Sequence, residues 1–366
     1  MKLKTDQKVF LALLGVGLWG KSDAKHNLGL DDNVDWEDVY QLAREQTVQG
    51  LVLAGLERSD AKSSQEMLLQ WIGEVQLLEQ RNDAMNMFVA ELIERLRKEY
   101  VHCLLVKGQG LIQCYEKPLW RASGDIDLLL NEENYRKAKG ILMPIASDVS
   151  DEDETTKHQA LVIEEFNVEL HGAMPFLLSK RADNVIEKTL TNVLSEKGEM
   201  IVKLGNVDVP LPNPDNHIII VFTHFLHHFF IEGVGLRQIC DWCRLLYTYR
   251  DSLDCELLES RIKAMGLISE WKAFASLAVD TLGMPKEAMP FYDDGFKRKG
   301  EKVLSHILKT GNFGQNKDLS YRVKYNGFVY RMVSFWRRFV DFVQFVPIFP
   351  LDAPRFFITY VMSKVK

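Results

Sequence analysis

The chain has 366 residues, enough for two or three modules around one or more cores. Its apolar fraction of 46% and charged fraction of 26% are ordinary for a soluble globular protein. The 45 Lys and Arg residues against 51 Asp and Glu leave a formal net charge of −6. That balance argues against broad electrostatic binding to nucleic acid and leaves room only for a local basic cleft.

The N-terminal "KVFLALLGVGLW" sets lysines before an apolar run, as a secretory leader does. No small-residue cleavage site follows; the next residues are Gly20, Lys21, Ser22 and Asp23. The reading is an amphipathic first helix of a cytoplasmic protein. No stretch approaches the roughly 20 unbroken apolar residues of a spanning helix. The same segment holds a literal G-x-G-x-x-G from Gly15 to Gly20. That pattern binds a pyrophosphate only between a strand and a helix. A polar loop follows here, so dinucleotide binding is not expected.

Residues 1–98 read as a helical region. "VDWEDVYQLAREQTVQGLVLAGLE" has helical spacing, with Asp32 or Asn33 placed to cap it. "SSQEMLLQWIGEVQLLEQRNDAMNMFVAELIERLRKEY" is one long helix or two, ending in basic residues that suit a helix C-terminus.

The pattern changes over residues 99–212, which read as a small α/β module. "VHCLLVKG" suits a buried strand ending at glycine, and "GLIQCYEK" a helix of about two turns. "DIDLLLN" reads as a strand, "ENYRKAKGILMPI" as a helix, and "HQALVIEEF" and "NVELHGAM" as two more strands. "EMIVKLGNVDVPLP" looks like a hairpin turning at Gly205 and Asn206.

Residues 213–320 return to helix, with a pair broken near Gly233 and Gly235 and a second pair after Asp254. Residues 321–366 form an aromatic, basic tail with six Lys or Arg against two Asp from Arg331 on. Docking of this tail on the core is the favoured reading, because Asp341 and three prolines interrupt its apolar stripe. Weak contact with an anionic membrane surface is the alternative.

Five cysteines, an odd number without framework spacing, point to a reducing compartment. Cys240 and Cys243 form a lone C-x-x-C inside a helical string and read as half-buried helix positions. His224, His227 and His228, with Asp241 as a fourth group, suggest a metal site. No acid accompanies them in the H-E-x-x-H manner, so core or cleft-lining histidines are the preferred reading.

The chemistry concentrates in "KGQGLIQCYEKPLWRASGDIDLLL". Residues two apart in a strand share a face, so Asp125 and Asp127 project together. Two carboxylates side by side repel unless something positive lies between them. A hard divalent cation, Mg²⁺ or Mn²⁺, is the economical answer. Pairing of edge carboxylates with Lys or Arg is the competing one. Upstream, Lys107, Gly108 and Gly110 form a turn that can present amides and a cation to phosphates. Arg121 and Ser123 lie just before the first aspartate. Downstream, "FNVELHG" offers Glu169 on another strand, sharing a face with Asn167 and His171. A third carboxylate would complete a two-metal phosphoryl-transfer site.

This order of glycine turn, helix, D-h-D strand and later acidic strand resembles the nucleotidyltransferase superfamily of the DNA polymerase β type. Within it, "LLVKGQGLIQCYEKPLWRASGDIDLLL", "NVELHGAM" and "HFLHHFFIEGVGLRQICDW" are similar to the uncharacterised bacterial nucleotidyltransferases labelled NTP_transf_5. The resemblance runs over roughly residues 8 to 290 and leaves the tail unmatched. It implies an α+β fold, with a small mixed sheet flanked by N-terminal and C-terminal helical regions. It also implies two Mg²⁺ ions and transfer of a nucleoside monophosphate from an NTP to an acceptor, with pyrophosphate released.

Asp125 and Asp127 match the paired metal ligands and Glu169 the third, with a general-base role for Glu169 as the alternative. Gly108 and Gly110 match the phosphate turn. Lys107, Arg121 and Ser123 fall to the nucleotide, and His171, His224, Arg237 and Asp241 to the acceptor pocket. The turn departs from the pattern in having no serine, and the gap to Asp125 is long. That departure favours a nucleotide-binding or protein-interaction module without catalysis; the three carboxylates oppose it. The acceptor is left open between a small molecule and a protein hydroxyl.

Overall fold

The structure, a computed structural model, describes residues 3–20, 34–153, 157–174, 178–194, 199–317 and 327–365. Asp32 and Asn33 lie outside the described residues.

Four helices open the chain: α1 (Thr5–Trp19), α2 (Trp36–Glu45), α3 (Gln49–Glu57) and α4 (Gln65–Lys98). Contrary to the amphipathic reading, α1 is buried nearly all round, from Val9 and Phe10 to Val16 and Leu18. Gly15 and Gly17 belong to this helix and not to a phosphate loop. A methyl at Gly17 would lie 1.9 Å from the Leu51 carbonyl oxygen, and one at Gly55 1.9 Å from that of Leu13. The two glycines let α1 and α3 touch backbone to backbone. The single helical string expected over residues 34–57 is two helices, broken where Thr47 takes φ 53°. Asp35 caps α2 by accepting from the backbone N–H groups of Glu37 and Asp38. Ser64 caps α4, one unbroken helix of 34 residues with Arg95, Arg97 and Lys98 at its negative end.

The central sheet is β1 (Leu104–Val106), β2 (Asp125–Leu129), β3 (Asp148–Val149), β4 (His158–Ile163) and β5 (Phe166–His171), in the order β1-β2-β5-β4-β3. β2 and β5 run parallel; the other pairs are antiparallel. The sheet is therefore mixed, and the fold is α+β. Between β1 and β2 the chain forms a 3-10 segment, Gly108–Cys114, where two α-helical turns were expected. α5 (Glu132–Leu142) is capped by Asn131 and follows β2; α6 (Lys180–Val193) follows β5. The hairpin β6 (Glu199–Leu204) and β7 (Val207–Pro212) turns at Gly205, φ 59°.

α7 (Pro214–Ile231) and α8 (Leu236–Tyr249) are the expected pair, and α9 (Cys255–Met265) and α10 (Ile268–Ser276) the second. α11 spans Lys297–Thr310. The tail forms α12 (Gly327–Phe345) and α13 (Asp352–Val365). Phe345 meets Phe229 and Phe230 of α7 at ring-centroid distances of 5.0 Å, and Phe356 meets Phe230 at 4.3 Å. One face of the tail thus docks on the core. The other exposes Met332, Trp336, Val340 and Val343. Among the described residues, no helix is long and apolar enough to cross a membrane.

Candidate active site

Strand alternation divides the central sheet into a dry face and a polar one. Ile126, Leu128, Val168 and Leu170 are buried with Leu92, Ile93 and Leu96 of α4. The opposite face carries Asp125, Asp127, Asn167, Glu169, His171 and His158. Register decides their spacing. Asp127 stands opposite Glu169 across the parallel pair, and Glu169 opposite Ala160 across the antiparallel one. One row on, His171 stands opposite His158. One oxygen from each of Asp125, Asp127 and Glu169 lies within 4.8 Å of the others. Oxygen donors in that arrangement suit a hard divalent cation, so the three residues fit the ion that their type implies.

Lys107, the residue after β1, takes a strained conformation, φ 57° and ψ −153°, and its side chain lies over this face. Its Nζ lies 2.5 Å from Asp127 Oδ1 and donates to His224 Nε2 at 3.0 Å. Its backbone N–H donates to His217 Nε2 at 3.2 Å. Both histidines come from α7. Burial alone would lower the Lys107 pKa, but the Asp127, Asp125 and Glu169 charges outweigh it, and the ammonium is held above its ordinary value. His217 is buried and neutral, its pKa lowered to about 3. Burial, then the Lys107 charge, holds His224 well below its usual value. The next residue, Gly108, has φ 36°, and a methyl there would sit 3.1 Å from the Asp125 carbonyl oxygen. A methyl at Gly110 would lie 3.2 Å from both the Leu105 carbonyl oxygen and the Leu211 side chain.

Burial, then the Asp127 charge, raises the pKa of Asp125, with Lys107 opposing. Burial pushes Glu169 upward too, but hydrogen bonds with His158 and His171 hold it well below the usual carboxylate range. His171 is buried; its Nε2 lies 2.8 Å from Asp127 Oδ1 and 3.4 Å from Glu169 Oε2. These hydrogen bonds overcome burial and raise its pKa. His158 Nε2 lies 3.2 Å from the same Glu169 oxygen.

Arg121 and Asp241 face each other instead of open solvent. Arg121 donates through Nη2 to Asp241 Oδ2 at 2.5 Å and through Nε to Oδ1 at 3.0 Å. Tyr115 donates its hydroxyl to Asp241 Oδ1 at 2.7 Å. Arg121 Nη1 reaches Ser123 Oγ at 2.8 Å, and that hydroxyl donates to Gln109. The network ties the segment before β2 to α8 and stiffens the approach to Asp125. Arg237 donates Nη1 to the Ala122 carbonyl at 2.8 Å, while its buried Nε has no partner. Burial, then the neighbouring Arg121 charge, lowers its pKa. A cleft of about 480 Å³ opens beside it, lined by Arg81, Asp125, Asn167, Glu169, Arg237 and Phe313 among others.

The structure places Asp125, Asp127, Glu169, Lys107, Gly108, His171, His224 and Arg237 together. Arg121, Ser123 and Asp241 stand one layer behind it. His158, His217, Gln109 and Arg81 were missed. Among the described residues, His224, His227, His228 and Asp241 form no group of converging metal-ligand atoms. Cys240 and Cys243 are fully buried in α8 as free thiols, raised by burial.

An aspartate pair on one strand, a third acid in register on its neighbour and buried cationic side chains beside them are groups of the kind that suit phosphoryl transfer. Residues 32–283 match the family model described as an uncharacterised nucleotidyltransferase, NTP_transf_5, and the chain belongs to that family. Membership implies a nucleoside triphosphate substrate. No curated protein and no solved structure matches the chain.

Proposed function

We propose that the chain transfers a nucleoside monophosphate from an NTP to a hydroxyl acceptor and releases pyrophosphate, with Mg²⁺ or Mn²⁺ held by Asp125, Asp127 and Glu169. The convergence of these three carboxylates within 4.8 Å carries the reading. A bound divalent ion would neutralise charge on the triphosphate and favour loss of the acceptor proton. The acceptor oxygen bonds to the α-phosphorus as its proton passes to solvent water. The bond from that phosphorus to the bridging oxygen breaks, and its electrons leave with pyrophosphate.

The chain's own groups have separable tasks. Glu169 stands in register with Asp127 and converges with both aspartates, so it acts as ligand. Lys107 and Arg237 supply positive charge at the inner end of the cleft, and the spare Arg237 N–H suits a phosphate oxygen. Arg121, Ser123 and Asp241 hold the loop that aims Asp125. The acceptor, a small molecule or a protein hydroxyl, enters through the cleft between the sheet and the C-terminal helices.

The test is thermal shift with ATP, GTP, CTP and UTP, each with and without Mg²⁺, on wild type and on Asp125→Asn, Asp127→Asn. Stabilisation that requires Mg²⁺ and vanishes in the variant supports the site, and pyrophosphate release then supports transfer. Nucleotide binding without release, with any acceptor pool, favours a binding module. The Lys107–Asp127 ion pair and the absence of a turn serine are the observations on that side.

A further inference from the structure

We propose that His158, Glu169 and His171 form a second cation site, distinct in chemistry from the aspartate pair and selective for a zinc-like ion. The site shares Glu169 with the reading above but rests on its own geometry. Metal binding can therefore fail while nucleotide binding stands, and the reverse.

The argument starts from register. β4 and β5 pair so that His158 lies directly opposite His171, with both side chains on the face that carries Glu169. The residue opposite Glu169 is Ala160, whose methyl leaves the space above the carboxylate open. Two imidazole nitrogens consequently converge on one oxygen: His158 Nε2 at 3.2 Å and His171 Nε2 at 3.4 Å from Glu169 Oε2. Ligands about 2.0–2.2 Å from a tetrahedral zinc ion lie roughly 3.3–3.6 Å from one another. The observed edges are already close to that spacing. All three donor atoms lie within 4.8 Å of one another.

A purely structural role accounts for half of this. His171 Nε2 alone joins Asp127 to Glu169. The second imidazole on the same oxygen is then surplus. A cation seated between the carboxylate and the two imidazoles uses both rings, and Asp127 keeps Lys107 as its partner.

Donor type sets the selectivity. Two imidazoles and one carboxylate match the three-ligand set of open zinc sites, whereas Mg²⁺ prefers oxygen. His158 is 33% exposed in its side chain. The fourth position therefore faces the outside, where water or a phosphate oxygen completes the coordination. Paired strands on a packed sheet hold the ligands in place, as a preformed site requires.

The experiment uses metal-free full-length protein carrying Cys255→Ser, which removes the one exposed thiol. Co²⁺ is titrated with visible absorption as the coordination signature, and Zn²⁺ and Mg²⁺ affinities are read by calorimetry. One tightly held Co²⁺ is expected, with the visible band of a four- or five-coordinate ion, displaced by Zn²⁺ and not by Mg²⁺. His158→Ala should lose the band and weaken Zn²⁺ by at least about ten-fold, the lower bound even for residues one shell further out. His158→Gln, which keeps side-chain bulk, should do the same with an unchanged melting temperature. Asp125→Asn should keep both band and affinity. Equal affinity in His158→Ala and wild type overturns the proposal. So does loss in Asp125→Asn, which moves the ion to the aspartates, or loss in His228→Ala, which moves it to α7.

Discussion

Lys107 and Asp127 form an ion pair of 2.5 Å on the polar face of the sheet, with side chains only 11% and 2% exposed. With the imidazoles of His158 and His171, the lysine lets three carboxylates share one face. Breaking a buried pair from one side leaves a charge without compensation. Lys107→Met is expected to lower stability by about 3–5 kcal/mol, as such changes do. Because the carboxylates then repel more strongly, added Mg²⁺ or Mn²⁺ should recover part of the loss. Urea unfolding with and without the ion checks both statements; no recovery would argue that the trio does not bind it.

The Arg121–Asp241 pair separates a supporting role from a role in acceptor binding. Asp241→Asn strands the guanidinium and weakens the acceptor of the Tyr115 hydroxyl. A stability loss of about 3–5 kcal/mol is expected. Arg121→Lys should be nearly as harmful, because an ammonium cannot reproduce the two-nitrogen contact. Denaturant midpoints decide it. A stable Asp241→Asn protein with a raised acceptor KM would place Asp241 in the pocket instead.

Glu270 on α10 gives the tail a pH dependence. It is fully buried. Burial, then the Asp352 charge at the start of α13, raises its pKa well above the usual value. The folded protein binds this proton more tightly than the unfolded chain does. Its contribution is therefore full below the ordinary carboxylate range and is lost as pH rises toward the raised value. Stability should fall from mildly acidic to mildly alkaline pH, and Glu270→Gln should flatten that slope. Unfolding midpoints across the range test this; parallel slopes for the two proteins would refute it.

Two glycines in helices should respond in opposite ways. Gly17→Ala drives a methyl into the Leu51 carbonyl at 1.9 Å. A loss of about 1–3 kcal/mol or more is expected as α1 and α3 move apart. Gly73 on α4 has nothing within 4 Å of the corresponding position. Gly73→Ala should add about 0.5–1 kcal/mol through helix propensity and a less flexible unfolded chain. Thermal melts of the two variants side by side provide the measurement.

Much of the sheet was readable because its signals are local. Apolar runs ending in glycine, the alternation around Asp125 and Asp127, and the Gly205–Asn206 turn each fit within a few residues. Glu169 was found the same way, since strand alternation needs no partner. What escaped depends on pairing. His158 meets His171 only once the turn is placed at Glu164 and Glu165, where Glu164 takes φ 55° without the usual Asn or Gly. Counting back from that turn brings the two histidines together. The break between α2 and α3 falls at Thr47, which carries no helix-breaking signal; tertiary packing overrides propensity there. Arg121 and Asp241 are 120 positions apart, so no spacing rule joins them. α1 reads as amphipathic only while its neighbours are unknown, because α3 covers the side that looked free.

The hold that α7 keeps on Lys107 bears on how such a centre could be moved or reduced. One helix supplies the acceptor for the lysine's backbone N–H through His217 and for its ammonium through His224. The counter-charge of the carboxylates is thus positioned by a segment that begins after the last strand. A fragment ending at residue 212 would retain every acid and lose the helix that aims their lysine. Grafting the acidic strands onto another scaffold would transfer the ligands and leave behind the means of keeping them quiet before a cation arrives.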